Sequence, residues 1–173
     1  WIALYAVACL LLVALAYARR DTRFLGKRDG RHSLAAWMLY WPYLAGYWLT
    51  WLLVRVRERG RDAFVQHSPG LFVGRRLSAL EARRLPAGCC VIDLSPELPE
   101  AAVLRGMRYY HAPLLDLHAP RPSQIRPILA LVAEQRRQGH AVFIHCAMGY
   151  SRSRFIARLH ARNYRQWLSR STG

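Results

Sequence analysis

Three observations predict an α/β domain preceded by one or two membrane helices. Strand signals alternate with helix signals over the second half of the chain. A turn-forming motif follows the last of those strands. Two long apolar segments occupy the first third. The sheet expected is parallel or mixed and flanked by helices. At 173 residues the chain has room for one domain of ordinary size plus some membrane sequence. It opens on Trp1 and not on Met, so it is expected to be a piece of a longer protein.

Residues Ile2 to Ala18 are apolar apart from Tyr5 and Tyr17 and carry no charge, near the minimum for a spanning helix. Arg19-Arg20 follows as a boundary. A signal peptide is the alternative, but no basic region precedes the stretch and no convincing small-residue cleavage site follows it. A second segment, 34–54, carries Trp37, Tyr40, Trp41, Tyr43, Tyr47, Trp48 and Trp51, a load suited to a membrane–water interface, and is interrupted by Pro42 and Gly46. Residues 19–31 hold five arginines and Lys27, and residues 55–61 hold four arginines, so both flanks read as cytoplasmic. That favours either a re-entrant or interfacial stretch or a genuine second span. A buried helix hairpin is the remaining alternative, and the uninterrupted apolarity of the first segment speaks against it.

Residues 55–68 are expected to be a basic linker and 69–173 the globular domain. Leu71-Phe72-Val73 predicts a strand ending at Gly74. Ser78 and Glu81 form a capping-box pattern for a short helix through Leu85, stopped by Pro86 and Gly88. Cys89 to Leu94 reads as a central strand and Tyr109 to Leu115 as another. Ser123 is the expected cap of a helix whose Ile125, Ile128, Leu129 and Val132 recur at helical spacing, with Gly139 as its end. Ala141-Val142-Phe143-Ile144 predicts a short buried strand. No internal repeat or low-complexity tract is present.

The net charge is +16, and Lys27 is the only lysine among 26 basic residues. Nine of the twenty aromatic residues lie in the two apolar segments and are not interleaved with arginine on a soluble surface, so nucleic acid is not an expected partner. The juxtamembrane arginines suit anionic lipid headgroups. Cys9, Cys89, Cys90 and Cys146 occupy unrelated contexts and form no paired framework.

The run His145-Cys146-Ala147-Met148-Gly149-Tyr150-Ser151-Arg152-Ser153 is the most specific feature. It leaves a buried strand, turns at Gly149 and enters a helix expected to start near Ser151. A thiol in such a loop sits among free backbone N–H groups at the positive end of a helix dipole. That nest binds phosphate oxygens and favours the thiolate at neutral pH. The planar fork of Arg152 suits two equatorial phosphate oxygens at once. A Walker loop would need Gly-Lys-Ser/Thr and is excluded by the spacing. A rhodanese-like sulfur transferase would usually have a loop one residue shorter.

The pattern His-Cys-x5-Arg-Ser resembles the cysteine-dependent phosphatases, specifically their dual-specificity branch, over roughly residues 69–153. The resemblance implies a cysteine-phosphatase-like sheet and a role for each matching residue. Cys146 would be the nucleophile, Arg152 the phosphate clamp and Ser153 the hydroxyl that stabilises the departing thiolate. His145 would orient the loop, and Ala147, Met148, Gly149, Tyr150 and Ser151 would line it around the substrate. Asp116, thirty residues before the cysteine in Pro113-Leu114-Leu115-Asp116-Leu117, stands where the family's general acid is found. Asp93 is the rival carboxylate, expected to be structural or a loop anchor. Glu97 and Glu100 read as loop residues, one of which would pair with Arg152. The seven histidines show no metal-ligating spacing, and the chemistry calls for neither metal nor cofactor.

The arrangement is also similar to bacterial membrane phosphatases of this type, some fused to an upstream phosphatidic-acid-phosphatase-like domain. That likeness implies an inner-membrane location, with the catalytic domain in the reducing cytoplasm. The expected substrate is a phosphoprotein, with Ser, Thr and Tyr phosphates all able to enter. A membrane lipid phosphate is the second choice, and a phosphate-binding module without activity is a rival. The tail departs from the family: Arg154, Arg158, Arg162, Arg165 and Arg170 fill it without an acid, and Arg154 and Arg158 are expected to share a face near the core.

Overall fold

The computed structural model describes the backbone of residues 1–171 and the side chains of residues 1–162. Five strands form one sheet: β1 (Phe64–Ser68), β2 (Leu71–Arg75), β3 (Cys90–Asp93), β4 (Arg108–His111) and β5 (Val142–Cys146). Their order is β1-β2-β5-β3-β4. β1 runs antiparallel to β2, and every other pairing is parallel. The sheet is therefore mixed, with helices on both faces. β5 is central and all five of its residues are buried, which is why its sequence is a continuous apolar run without alternation.

Side-chain alternation along the strands divides the core in two. On one face Val73, Cys90, Ile92, Val142 and Ile144 meet Ile128 and Val132 of a long helix and Ile156 and Ala157 of the last one. On the other face Val91 and Phe143 meet Leu77, Ala82, Leu85 and Leu104. Each fully buried Phe or Ile here contributes roughly 1.5–3 kcal/mol of transfer free energy.

The helices are α1 (Ile2–Ala18), α2 (Leu34–Arg57), α3 (Ala79–Ala82), α4 (Ala102–Arg105), α5 (Pro122–Arg137) and α6 (Arg152–Ser171). α3 carries the predicted capping box: Glu81 N–H donates to Ser78 Oγ, and Ser78 N–H donates to Glu81 Oε2 at 2.8 Å. α5 begins one residue before the expected cap. Pro122 takes the first helical position, where its missing N–H costs nothing, and Gln124 accepts from the Arg121 N–H at 2.9 Å. Ser123 is thus inside the helix. β4 is shorter than the strand predicted over 109–115, because Pro113 breaks its ladder. The chain nevertheless continues alongside β3, with Ala112 N–H donating to Asp93 O and Leu114 N–H to Leu94 O. β1 lies inside the stretch expected to be a linker. Its arginine-rich approach gave no alternation to reveal it.

The first third of the chain differs most from expectation. Among the described residues no helix is long and apolar enough to cross a membrane. α1 has 17 residues, about 25 Å at 1.5 Å each, against about 30 Å of hydrocarbon. α2 has 24, but it is kinked at Tyr40 ahead of Pro42. Pro42 has no N–H for the carbonyl of Met38, and the hydroxyl of Tyr5 in α1 donates to that carbonyl at 2.5 Å. The second predicted span is instead docked on the sheet domain. Trp51 is buried, packs with Leu98 and Ala147, and donates its Nε1–H to Arg76 O at 3.0 Å. The Arg76 guanidinium lies over both Trp48 and Trp51. The amphipathic rings that suit a lipid interface are here used on arginine and backbone.

Arg154 and Arg158, expected to face the core, are exposed, and Ile156 and Ala157 take the buried positions between them. The side chains of Arg165 and Arg170 lie outside the described residues.

Candidate active site

All four parallel strands end at one edge of the sheet, the place where open α/β sheets bind ligands. The register aligns Arg75 with Cys146, and Asp93 with both His145 and His111. The loops after β2, β3, β4 and β5 therefore converge. The loop after β5 enters α6 directly, so Cys146 faces the N-terminus of a 20-residue helix. Gly149 is required at the turn. Its φ is +78°, and a Cβ there would lie 2.6 Å from the Arg75 backbone nitrogen.

Cys146 Sγ accepts the Gly149 N–H at 3.3 Å and lies 3.5 Å from Ser153 Oγ. That hydroxyl also donates to Gly74 O at 3.2 Å. The single hydroxyl hydrogen can serve Gly74 O or, on rotation, the sulfur 3.5 Å away. Arg152 is buried. Its Nη1 donates to both oxygens of Glu97, at 2.9 and 3.1 Å, and to the Leu114 carbonyl at 2.9 Å. Nη2 stands 3.6 Å from Asp116 Oδ2, and Nε is buried with no hydrogen-bond partner. One corner of the guanidinium is thus anchored, and its Nε–Nη2 edge is left for an oxyanion. Burial disfavours the charge, but Glu97 foremost, with Cys146 and Asp116, outweighs it and holds the arginine pKa above its usual value.

Asp116 stands at the mouth of the site, a quarter exposed, with Ser151 Oγ 3.4 Å from Oδ1. The next residue, Leu117, has φ +57° and is almost fully exposed. Asp93 is not at the mouth. It is fully buried and receives the Lys27 ammonium at 2.5 Å, the Tyr109 hydroxyl at 2.7 Å and the Ser95 N–H at 2.8 Å. Burial raises its pKa, and the Lys27, His145 and His111 charges more than reverse that, so it stays ionised.

The side chains around the loop take different directions. The His145 ring is buried, stacks on Phe143 at 5.2 Å, and places Nε2 2.9 Å from Glu100 Oε2. Burial would lower its pKa, but Asp93 and Glu100 hold it above the usual value. It anchors the loop from beneath. The Ala147 side chain is turned into the cluster with Trp51 and Leu98, and Met148 packs against the same cluster. Tyr150 and Ser151 remain exposed, the former donating to Glu58 Oε1 at 2.8 Å.

Glu97 is the residue that holds Arg152, a role the sequence left open between Glu97 and Glu100. Asp93, Glu100 and His145 bring ligand-type atoms within 4.8 Å of one another. Lys27 already neutralises Asp93 there, so the cluster is balanced by an ammonium. Sequence reasoning missed Lys27 altogether. The available signal was its being the only lysine in so arginine-rich a chain.

A thiol over a helix N-terminus, an arginine with an open edge and a carboxylate at the mouth are the groups that nucleophilic displacement at phosphorus calls for. The chain is 32% identical over 94 residues to mouse dual specificity protein phosphatase 12, a match that covers 51% of this chain and 28% of that protein. It therefore spans little more than a quarter of that relative. Among solved structures, Tk-PTP in its active form is 28% identical, covering 56% of this chain and 69% of that one, with a TM-score of 0.48. A mutant form of Tk-PTP is 29% identical, covering 53% and 65%, with a TM-score of 0.46. No protein-family model matches the chain. The sequence match supports a dual-specificity-phosphatase-like domain, and the two structural likenesses, both below 0.5, add no weight to it.

Proposed function

We propose that the chain is a phosphomonoesterase that acts through a phosphocysteine intermediate on phosphorylated protein side chains. The Cys146 thiolate attacks phosphorus, a sulfur–phosphorus bond forms, and the ester oxygen departs with the Asp116 proton. Water, deprotonated by Asp116, then displaces the sulfur and releases inorganic phosphate. The Ser153 hydroxyl hydrogen-bonds the departing thiolate, and the open edge of Arg152 holds the equatorial oxygens throughout. The observation that carries this reading is the buried, unpartnered Nε of Arg152, since a buried donor without a partner is costly unless a ligand completes it. The experiment is phosphate release from p-nitrophenyl phosphate followed by acid quench. Label trapped on Cys146 supports the proposal, and release without such trapping, or no release, overturns it.

One observation favours a lipid surface beside the site. Leu10, Leu11 and Leu15 of α1 and Met38, Trp41, Leu49 and Leu52 of α2 are exposed on the hairpin. The edge contact of Tyr17 with His118 joins that hairpin to the Asp116 loop. Exposed arginines flank it at 19, 20, 57, 59 and 61. This second reading lays the hairpin on anionic headgroups and adds lipid phosphomonoesters to the substrates. It rests the catalytic domain on the membrane's cytoplasmic face, where a reducing environment keeps the thiol free. Faster turnover of a lipid phosphate than of a phosphopeptide would decide for it.

A further inference from the structure

The strap between α1 and α2, residues 19–33, runs beneath the active-site loops. Lys27 on this strap has a side chain only 1% exposed. Its ammonium donates to Asp93 Oδ2 at 2.5 Å, to the Ser95 carbonyl at 2.7 Å and to the Leu98 carbonyl at 2.6 Å. Three donors on one atom meet three converging acceptors. A guanidinium presents its donors in a plane and cannot do this, which accounts for a lysine at this one place. His32 adds a contact between its Nε2 and the Pro96 carbonyl at 2.8 Å.

These contacts fall on both sides of Glu97, and Ser95 Oγ donates to Glu97 Oε2 at 2.7 Å. The 94–99 loop contains Pro96 and Pro99 and no regular secondary structure. It depends on side chains from outside for its shape. Glu97 in turn anchors Arg152 through Nη1. We infer that Lys27 is a positioning residue for phosphate binding: it pins the Glu97 loop and thereby aims the open edge of Arg152. The inference rests on the phosphatase reading of this site.

The test compares Lys27→Met, Lys27→Arg, Glu97→Gln and the Lys27→Met/Glu97→Gln double variant, each assayed below its thermal midpoint. The readouts are kcat on p-nitrophenyl phosphate and the affinity for orthovanadate. A misaimed clamp should lower kcat by roughly 10²-fold in both single-site methionine and glutamine variants, with weaker vanadate binding. The double variant should be no worse than the poorer single one, because both break one chain of contacts. Lys27→Arg should not restore activity. Wild-type kcat and vanadate affinity in Lys27→Met, or losses that multiply in the double variant, overturn the inference.

Should Lys27→Met not fold, the wild-type chain supplies the answer. Lys27 is its only ε-amine, so acylation there reports opening of the strap, and alkylation of buried Cys90 reports opening of the sheet. Saturating orthovanadate should slow acylation of Lys27 more than alkylation of Cys90. Equal slowing overturns the coupling. A wild-type chain that neither hydrolyses phosphate esters nor binds vanadate defeats the phosphatase reading and this inference together, whereas an active wild type beside a fully active Lys27→Met defeats only the inference.

Discussion

At the residue scale the site separates charge from geometry. Arg152→Lys keeps the charge but replaces an edge anchored at Nη1 with a single ammonium that cannot use Glu97, Leu114 O and an oxyanion in one plane. A loss of about 10²-fold or more in kcat is expected, since such pre-aimed donors act on charge developing in the transition state. Near-normal turnover of the lysine variant would mean that the guanidinium does not face phosphate. Cys146→Ser should abolish turnover and leave vanadate binding, because Arg152 and the loop remain. Asp116→Asn should slow alkyl phosphates by about 10²–10⁴-fold and spare aryl phosphates with good leaving groups. Equal losses on both classes would move the acid elsewhere. Asp93, the rival carboxylate, is then a poor candidate, because it is sealed beneath the loop by Lys27 and Tyr109.

At the element scale the strap gives the molecule a pH dependence. Burial lowers the His32 pKa to about 4, while the unfolded chain keeps about 6.5. The folded state therefore excludes a proton that the unfolded state binds, so stability is lost as pH falls from 6.5 towards 4 and levels off below. His111 is lowered for the same first reason, burial, and contributes in the same sense as pH falls below 6.5. His145 works in the opposite sense: its raised pKa gives stability that is present below 6.5 and lost as pH rises through the folded value. His32→Gln should flatten the acid side of a plot of thermal midpoint against pH without abolishing its slope. A variant that parallels wild type from pH 6.5 to 4 would show that His32 is not a source. The elements themselves follow local signals unevenly. β5 and the α3 cap are legible because their residues are contiguous. β1 is not, because its three middle residues are exposed on an edge strand and show no burial pattern.

At the scale of the whole molecule, the hairpin links an apolar outer surface to the catalytic loops. If that surface rests on lipid, the chain should bind vesicles containing phosphatidylglycerol and not neutral ones. Attraction to the flanking arginines is worth roughly 1 kcal/mol per residue near an anionic surface and falls with salt. Leu10→Glu or Leu49→Glu, both at exposed positions, should weaken that binding several-fold and leave hydrolysis of p-nitrophenyl phosphate unchanged. Vesicle binding insensitive to either substitution would remove the hairpin from the interface.

What the sequence by itself determined is the chemistry that is local along the chain. The nine residues from His145 to Ser153 contain the thiol, the turn glycine, the guanidinium and the hydroxyl of the proposed site, because a strand-to-helix loop is built from neighbours. Asp116 was singled out as well, from its offset and the family resemblance, and the fold brings its carboxylate 3.6 Å from Arg152 Nη2. Tertiary structure alone decided which of Glu97 and Glu100 holds Arg152, and that Lys27 supports the Glu97 loop. Glu97 meets Arg152 across 55 residues and Lys27 meets Asp93 across 66, and no periodicity records a pairing at such separations. It also decided the fate of the aromatic segment. Tryptophan and tyrosine at helical spacing suit lipid, arginine and backbone alike, and only the fold brings Arg76 and Ala147 against Trp51. Burial of the one lysine follows the same logic: a charge can leave water only where three acceptors already converge, and their convergence is a property of the folded chain.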